Sequence, residues 1–135
     1  MFKLLITARS FGVSNPKVIN ELDKIDDFEY LRPDHTKAFD EREMVNLSKD
    51  ATGIVVGTDK ITKSVIKNAK NLKIIMKHGV GIDNIDLASA IEAGIMVTNL
   101  PGINDTSVAE MAFMFILSYS RGVIDLFNNA QMGKW

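Results

Sequence analysis

Apolar residues gather in five short runs, Leu4–Ala8, Phe28–Leu31, Gly53–Val56, Leu72–Met76 and Ile95–Thr98. Between them the apolar positions recur at helical spacing. Runs this short and this rich in Ile, Val, Leu and Phe predict strands of a parallel sheet covered on both faces. Phe28-Glu29-Tyr30-Leu31 is the most polar and is predicted at an edge.

The intervening segments carry helix start and stop signals. Asn15-Pro16 reads as a cap and first helical position, with Val18, Leu22 and Ile25 on one stripe. Asp40 opens a second helix that turns Met44, Val45 and Leu47 inward, and Thr62 caps a third that buries Val65, Ile66 and Ala69. Asn84 or Asp83 is the expected cap of a fourth, with Leu87, Ala90 and Ile91 among its apolar positions. Gly94 ends that helix in the left-handed conformation glycine tolerates. A fifth helix is expected from near Asn104, running past Phe127.

Strict alternation of strand and helix requires crossover connections. It predicts an α/β fold with a flavodoxin-like, doubly wound, five-stranded parallel sheet of order 2-1-3-4-5, followed by a long C-terminal helix. Such sheets bind ligands beyond the carboxyl ends of their strands, which directs attention to the loops after Ala8, Val56, Met76 and Thr98. No internal repeat, low-complexity tract or linker precedes Pro101. The fifth helix is apolar nearly all round: from Ala109 to Leu117 only Glu110 interrupts. Covering one face of a small sheet takes a single stripe. Such a helix either packs between layers or meets a partner outside this chain, and a five-stranded domain offers no second layer.

Composition narrows the function classes. Of 135 residues, 46% are hydrophobic and 24% charged, which excludes disorder and collagen-like repeats. Lys and Arg number 16 against 17 Asp and Glu, for a net charge of −1, so no electrostatic case exists for a nucleic acid or an anionic membrane as partner. Without cysteine there is no disulfide, thiolate metal site or thiol nucleophile, and two histidines are too few for most zinc sites. The longest apolar stretch, Met111 to Leu117, is seven residues and too short to span a bilayer. Met1–Ile6 resembles a signal peptide only superficially, since Arg9 interrupts it early. A soluble, cytoplasmic placement is the expectation.

The candidate chemistry lies in Lys77-His78-Gly79-Val80-Gly81-Ile82-Asp83-Asn84-Ile85-Asp86, between the fourth strand and the fourth helix. Two glycines at i and i+2 let backbone approach a ligand. Their N–H groups, with the positive end of the following helix, are expected to attract a carboxylate or phosphate. A tight turn without a ligand fits the bare spacing equally well, because Gly-x-Gly is not the full Gly-x-Gly-x-x-Gly dinucleotide fingerprint.

Six motifs occur in register along the chain: Ile6-Thr7-x-Arg9-Ser10-Phe11-Gly12, Gly57-Thr58-Asp59-Lys60-Ile61-Thr62, Asn71-Leu72-Lys73-Ile74-Ile75, the Gly79–Asp86 loop, Gly94-Ile95-Met96-Val97-Thr98-Asn99, and Pro101-Gly102-x-Asn104-x-x-Ser107-Val108-Ala109-Glu110. Together they resemble the N-terminal part of the D-isomer-specific 2-hydroxyacid dehydrogenases, most of all the phosphoglycerate dehydrogenase branch. The resemblance implies an NAD enzyme that oxidises a 2-hydroxy acid to a 2-keto acid by hydride transfer. It implies that residues 1–103 form the substrate-binding (catalytic) domain and residues 104–135 the first helix of a nucleotide-binding domain. Homo-oligomerisation would then run through the helix after Asn104.

By the same resemblance, Gly79, Val80, Gly81 and Asn104 bind substrate, while Val80 and Ser107 stand near the cofactor. For Asn104 a helix N-cap, and for Ser107 a place in the first helical turn, are the alternatives. The family's dinucleotide fingerprint, catalytic arginine, acid–base histidine and its orienting carboxylate have no counterparts in these 135 residues. The chain alone is therefore expected to be inactive and not to bind NAD, which belongs to the full-length enzyme.

The remaining polar candidates weigh less. His78 is not expected to form an acid–base dyad with Asp83 or Asp86, and Lys77 is expected to be solvated. Arg9 suits an anionic substrate tail, with solvation the alternative. Val56-Gly57 stands where many phosphoglycerate dehydrogenases carry an arginine. His35 is expected in a surface loop, and Glu110 has no catalytic assignment. A non-catalytic binding or dimerisation module on the same scaffold is the competing function. A phospho-receiver domain fails for want of acidic residues after the first and third strands, and a flavodoxin for want of a phosphate loop after Ala8.

Overall fold

The computed structural model describes residues 1–34 and 36–134. It divides into two units, Met1–Pro101 and Gly102–Trp135. The first is a five-stranded, all-parallel sheet of β1 (Phe2–Ile6), β2 (Phe28–Leu31), β3 (Gly53–Val56), β4 (Ile74–Lys77) and β5 (Met96–Thr98), in the order β2-β1-β3-β4-β5. This is the expected topology, with Phe28–Leu31 at an edge. β1 starts and ends two residues earlier than the apolar run suggests, and β4 begins two residues later.

Alternation along each strand sorts side chains to two unequal faces. Leu5, Ile54, Val56 and Ile75 meet Met44, Val65, Ile66 and Ala90 beneath α2 (Glu41–Ser48), α3 (Lys63–Asn68) and α4 (Leu87–Glu92). Leu4, Ile6, Ala8 and Val55 form the smaller opposite cluster, against Phe11 and Leu22 at the end of α1 (Lys17–Leu22). Each fully buried Leu, Ile or Val contributes about 1.5–3 kcal/mol relative to exposure.

The helix starts follow the sequence where the cap is local. Asp40 accepts from the Glu43 amide while Glu43 reaches back to the Asp40 amide, a complete capping box. Thr62 caps α3 through Val65 N and also donates to Glu41 on α2. Gly94 ends the α4 segment at φ +66°, as expected. Three expectations fail. α1 stops at Leu22, leaving Ile25 exposed. The cap of α4 is Asp86, not Asn84 or Asp83. Ile91 of α4 is 77% exposed, because this six-residue helix buries Ser89 and Ala90 and carries Ile91 round to the side away from the sheet.

The second unit is helical. α5 (Asp105–Ser120) ends where Arg121-Gly122 breaks the run, and α6 (Val123–Gln131) follows at a bend of 64°. The single helix expected past Phe127 is thus two, since Gly122 takes a left-handed φ of +59° that no helix interior accommodates. Among the described residues no single helix is long and apolar enough to cross a membrane.

Candidate functional site

β4 ends at Lys77, and the His78 amide carries its ladder one step further by donating to Val56 O at 2.8 Å. The chain then turns at Gly79, whose φ of +153° is a conformation that side chains rarely adopt. The loop is pinned through its carbonyls. Leu100 N donates to Gly79 O at 3.0 Å and Asn99 Nδ2 to Val80 O at 2.8 Å. Its amides are used differently. Gly79 N donates back to Lys77 O at 3.0 Å, whereas the Val80 and Gly81 amides donate to no protein acceptor among the described residues. Both residues are exposed, Val80 at 38%, and Gly79 is half-buried. The structure therefore brings the three candidate residues together in a reachable loop, with two amides, not three, available to an anion.

The helix-dipole contribution is overturned. α4 begins at Leu87, six residues past Gly81, and its first turn is already served: Asp86 accepts from Ser89 N and from Ser89 Oγ, each at 2.9 Å. Those two hydrogen bonds, the amide's first, hold the Asp86 carboxyl below the usual carboxylate range, with Lys63 adding a smaller attraction. A carboxylate thus occupies the positive helix end, leaving none of it for a ligand at the glycines.

Lys77 is not the freely solvated lysine expected. It is half-buried, and its Nζ donates to Gly57 O and to Asn84 Oδ1, both at 2.7 Å. Asn84 in turn donates from Nδ2 to Gly57 O (3.1 Å) and Asp59 O (2.5 Å), and its carbonyl accepts from Ile61 N at 2.8 Å. These bonds tie the exit of the loop to the segment after β3. Buried Asp59 accepts from Phe39 N through Oδ1 at 2.8 Å, while its Oδ2 and the Thr7 hydroxyl have no partner among the described residues. Sequence reasoning missed Asp59 and the roles of Lys77 and Asn84. Gly57-Thr58-Asp59 did stand among the matching motifs, but spacing gave no hint of bonds spanning 20 to 27 residues.

His78 packs edge-on against the Phe11 ring, centroids 5.8 Å apart. Arg9 is exposed and donates to Thr36 O at 2.6 Å, borders a recess of about 320 Å³ with Arg32 and Asp34, and so sits at the end of β1 as expected. Of Val56 and Gly57, where the resemblance puts an arginine, Val56 is fully buried and Gly57 half-buried. Glu110 is exposed on α5. His35 lies outside the described residues. Asn104 and Ser107 belong to the second unit. Asn104 holds the N-cap position of α5 without a side-chain capping bond, and Ser107 is exposed in the first turn.

The catalytic-domain profile of the D-isomer specific 2-hydroxyacid dehydrogenases matches residues 6–132. The chain belongs to that family. This dehydrogenase-family chain is 38% identical over 82 residues to the glyoxylate reductase of Thermococcus litoralis, covering 61% of the chain and 25% of the relative. It is 40% identical over 95 residues to the D-3-phosphoglycerate dehydrogenase of Methanocaldococcus jannaschii, covering 69% and 18%. It spans a quarter or less of those two relatives. Among solved structures it is similar to D-lactate dehydrogenase from Aquifex aeolicus complexed with NAD and lactic acid: TM-score 0.77, 26% identity, covering 98% of this chain and 38% of that one.

Proposed function

We propose that this chain is the N-terminal, substrate-binding part of an NAD-dependent D-2-hydroxyacid dehydrogenase, and that its loop at Gly79–Gly81 holds the carboxylate of a 2-hydroxy or 2-keto acid. One observation carries the reading: the Val80 and Gly81 amides are the unspent donors of a loop whose carbonyls are fastened, at the carboxyl end of β4. A fixed pair of N–H groups binds an anion without reorganising. The phosphoglycerate dehydrogenase branch is the preferred assignment within the family. Val56-Gly57, where that branch often carries an arginine, supplies no cation for a phosphate, which favours a carboxylate as the anion held at the carboxyl end of β4.

In the complete enzyme, Asn104 would face substrate, with Val80 and Ser107 beside the cofactor. These 135 residues do not themselves fit a dinucleotide: Val80 offers an isopropyl group and Ser107 a hydroxyl, and no Gly-x-Gly-x-x-Gly turn is present to cradle a pyrophosphate. Residues 104–135 are assigned to the nucleotide-binding domain and to a homo-oligomer built on it, which the exposed Phe113, Phe115, Ile116 and Leu117 support. We place the enzyme in the cytoplasm.

Calorimetry on the 135-residue chain is expected to show no NADH binding, while a 15N spectrum titrated with pyruvate is expected to shift the Val80 and Gly81 amides. Micromolar NADH affinity would overturn the assignment of the cofactor to the rest of the enzyme. Pyruvate shifts that spare both amides would overturn the carboxylate site.

A further inference from the structure

A loop that receives carboxylates must offset negative charge nearby, and here one such charge is close. A β-carbon placed on Gly81 would lie 3.2 Å from Asp83 Oδ1, so that carboxylate borders the free amides. Neutral N–H groups beside an anion make a poorer anion site unless a cation compensates. The cation the fold supplies is Lys77. Its Cε passes 3.4 Å from the β-carbon position of Gly79, and its ammonium is held by Gly57 O and Asn84 Oδ1, both neutral acceptors. No carboxylate of the described residues lies within 4.0 Å of it. The positive charge is therefore fixed in place and not cancelled by an ion pair.

We infer that Lys77, clamped by Asn84, is a positioning residue that supplies the loop's selectivity for an anionic over a neutral 2-keto ligand. It acts through the charge it holds against Gly57 and Asn84, its stem passing beside Gly79, rather than by touching the ligand. This rests on the proposed carboxylate site. Two of the three N–H bonds of the ammonium are directed to Gly57 and Asn84, which fixes its position. Because Lys77 is half-buried, its field is screened less than that of a surface lysine.

The test follows the Val80 and Gly81 amides of the 135-residue chain while pyruvate, and separately the uncharged pyruvamide, is added at low ionic strength. Lys77→Met is expected to weaken pyruvate about fivefold, as one charge several ångströms away in partly screened surroundings does, and to leave pyruvamide unchanged. Lys77→Arg is expected to retain most of the pyruvate affinity, and 0.5 M salt to narrow the difference between Met and Lys without abolishing it. If Lys77→Met does not give a dispersed spectrum, Lys77→Gln replaces it. In the unaltered chain pyruvate must in any case outbind pyruvamide by a similar factor. Unchanged pyruvate affinity in the variant, equal loss for both probes, or equal affinity of both in the unaltered chain overturns the inference while leaving the carboxylate site standing. An unaltered chain whose Val80 and Gly81 amides ignore pyruvate refutes the site itself, and the inference with it.

Discussion

Residues 1–101 and the helices after them are comparably rich in apolar side chains and use them in opposite ways. In the first unit, alternate strand positions meet the inward stripes of α1 to α4, and 18 hydrophobic residues are buried. In the second, none of the described residues is buried, and Phe113, Met114, Phe115, Ile116 and Leu117 are all exposed. The difference teaches that apolar content does not make a core; arrangement does. A stripe can be opposed by one neighbour, whereas a full circumference must be surrounded.

The largest effects should therefore separate the units. Ile75→Ala, at a fully buried position of β4, is expected to cost about 2–5 kcal/mol in urea unfolding, whereas Ile116→Ala, 62% exposed on α5, should stay within about 0.5 kcal/mol. Equal losses would erase the contrast. Exposed apolar surface of this extent also drives association. Sedimentation is expected to show self-association that Phe113→Glu with Ile116→Glu abolishes, and a strict monomer at high concentration would remove the case for an oligomer built on α5.

Smaller effects sharpen the picture inside the first unit. Gly79→Ala forces a side chain onto φ +153° and should lose about 1–3 kcal/mol, while Gly81→Ala meets only the movable end of Asp83 and should be nearly silent. Thr62→Ala should cost about 1 kcal/mol by removing the α3 cap. Least of all is Asp86. Its carboxyl lies lower in the folded chain than in the unfolded one, so its contribution is present above the ordinary carboxylate range and fades as pH falls below it. Asp86→Asn should flatten the acid limb of the stability profile, read by thermal melts from pH 6 downward at about half-unit steps.

The strands, their order and the caps at Asp40, Thr62 and Gly94 were legible because each depends on residues within one turn or on alternation. The α4 cap was misread because Asn84, a good cap by type, is drawn away by Gly57, Asp59 and Lys77, partners that become neighbours only once β3 and β4 pair. Lys77 was misjudged for the same reason. The loop at Gly79–Gly81 was found through its glycines, but which of its amides remain free depends on Asn99 and Leu100 and could not be read from spacing. The break of α5 turned on one glycine at position 122, which helical periodicity alone passes over.

Asn84 can be seated only one way round. Its oxygen faces an ammonium and its nitrogen faces two carbonyl oxygens, so rotating the amide by half a turn would set like against like on every side. Exchange of that single nitrogen for oxygen, as in aspartate, leaves the shape intact yet confronts two lone-pair-bearing neighbours with a third. That one exchange would thus loosen the joint between the β3 and β4 loops before any apolar residue had moved.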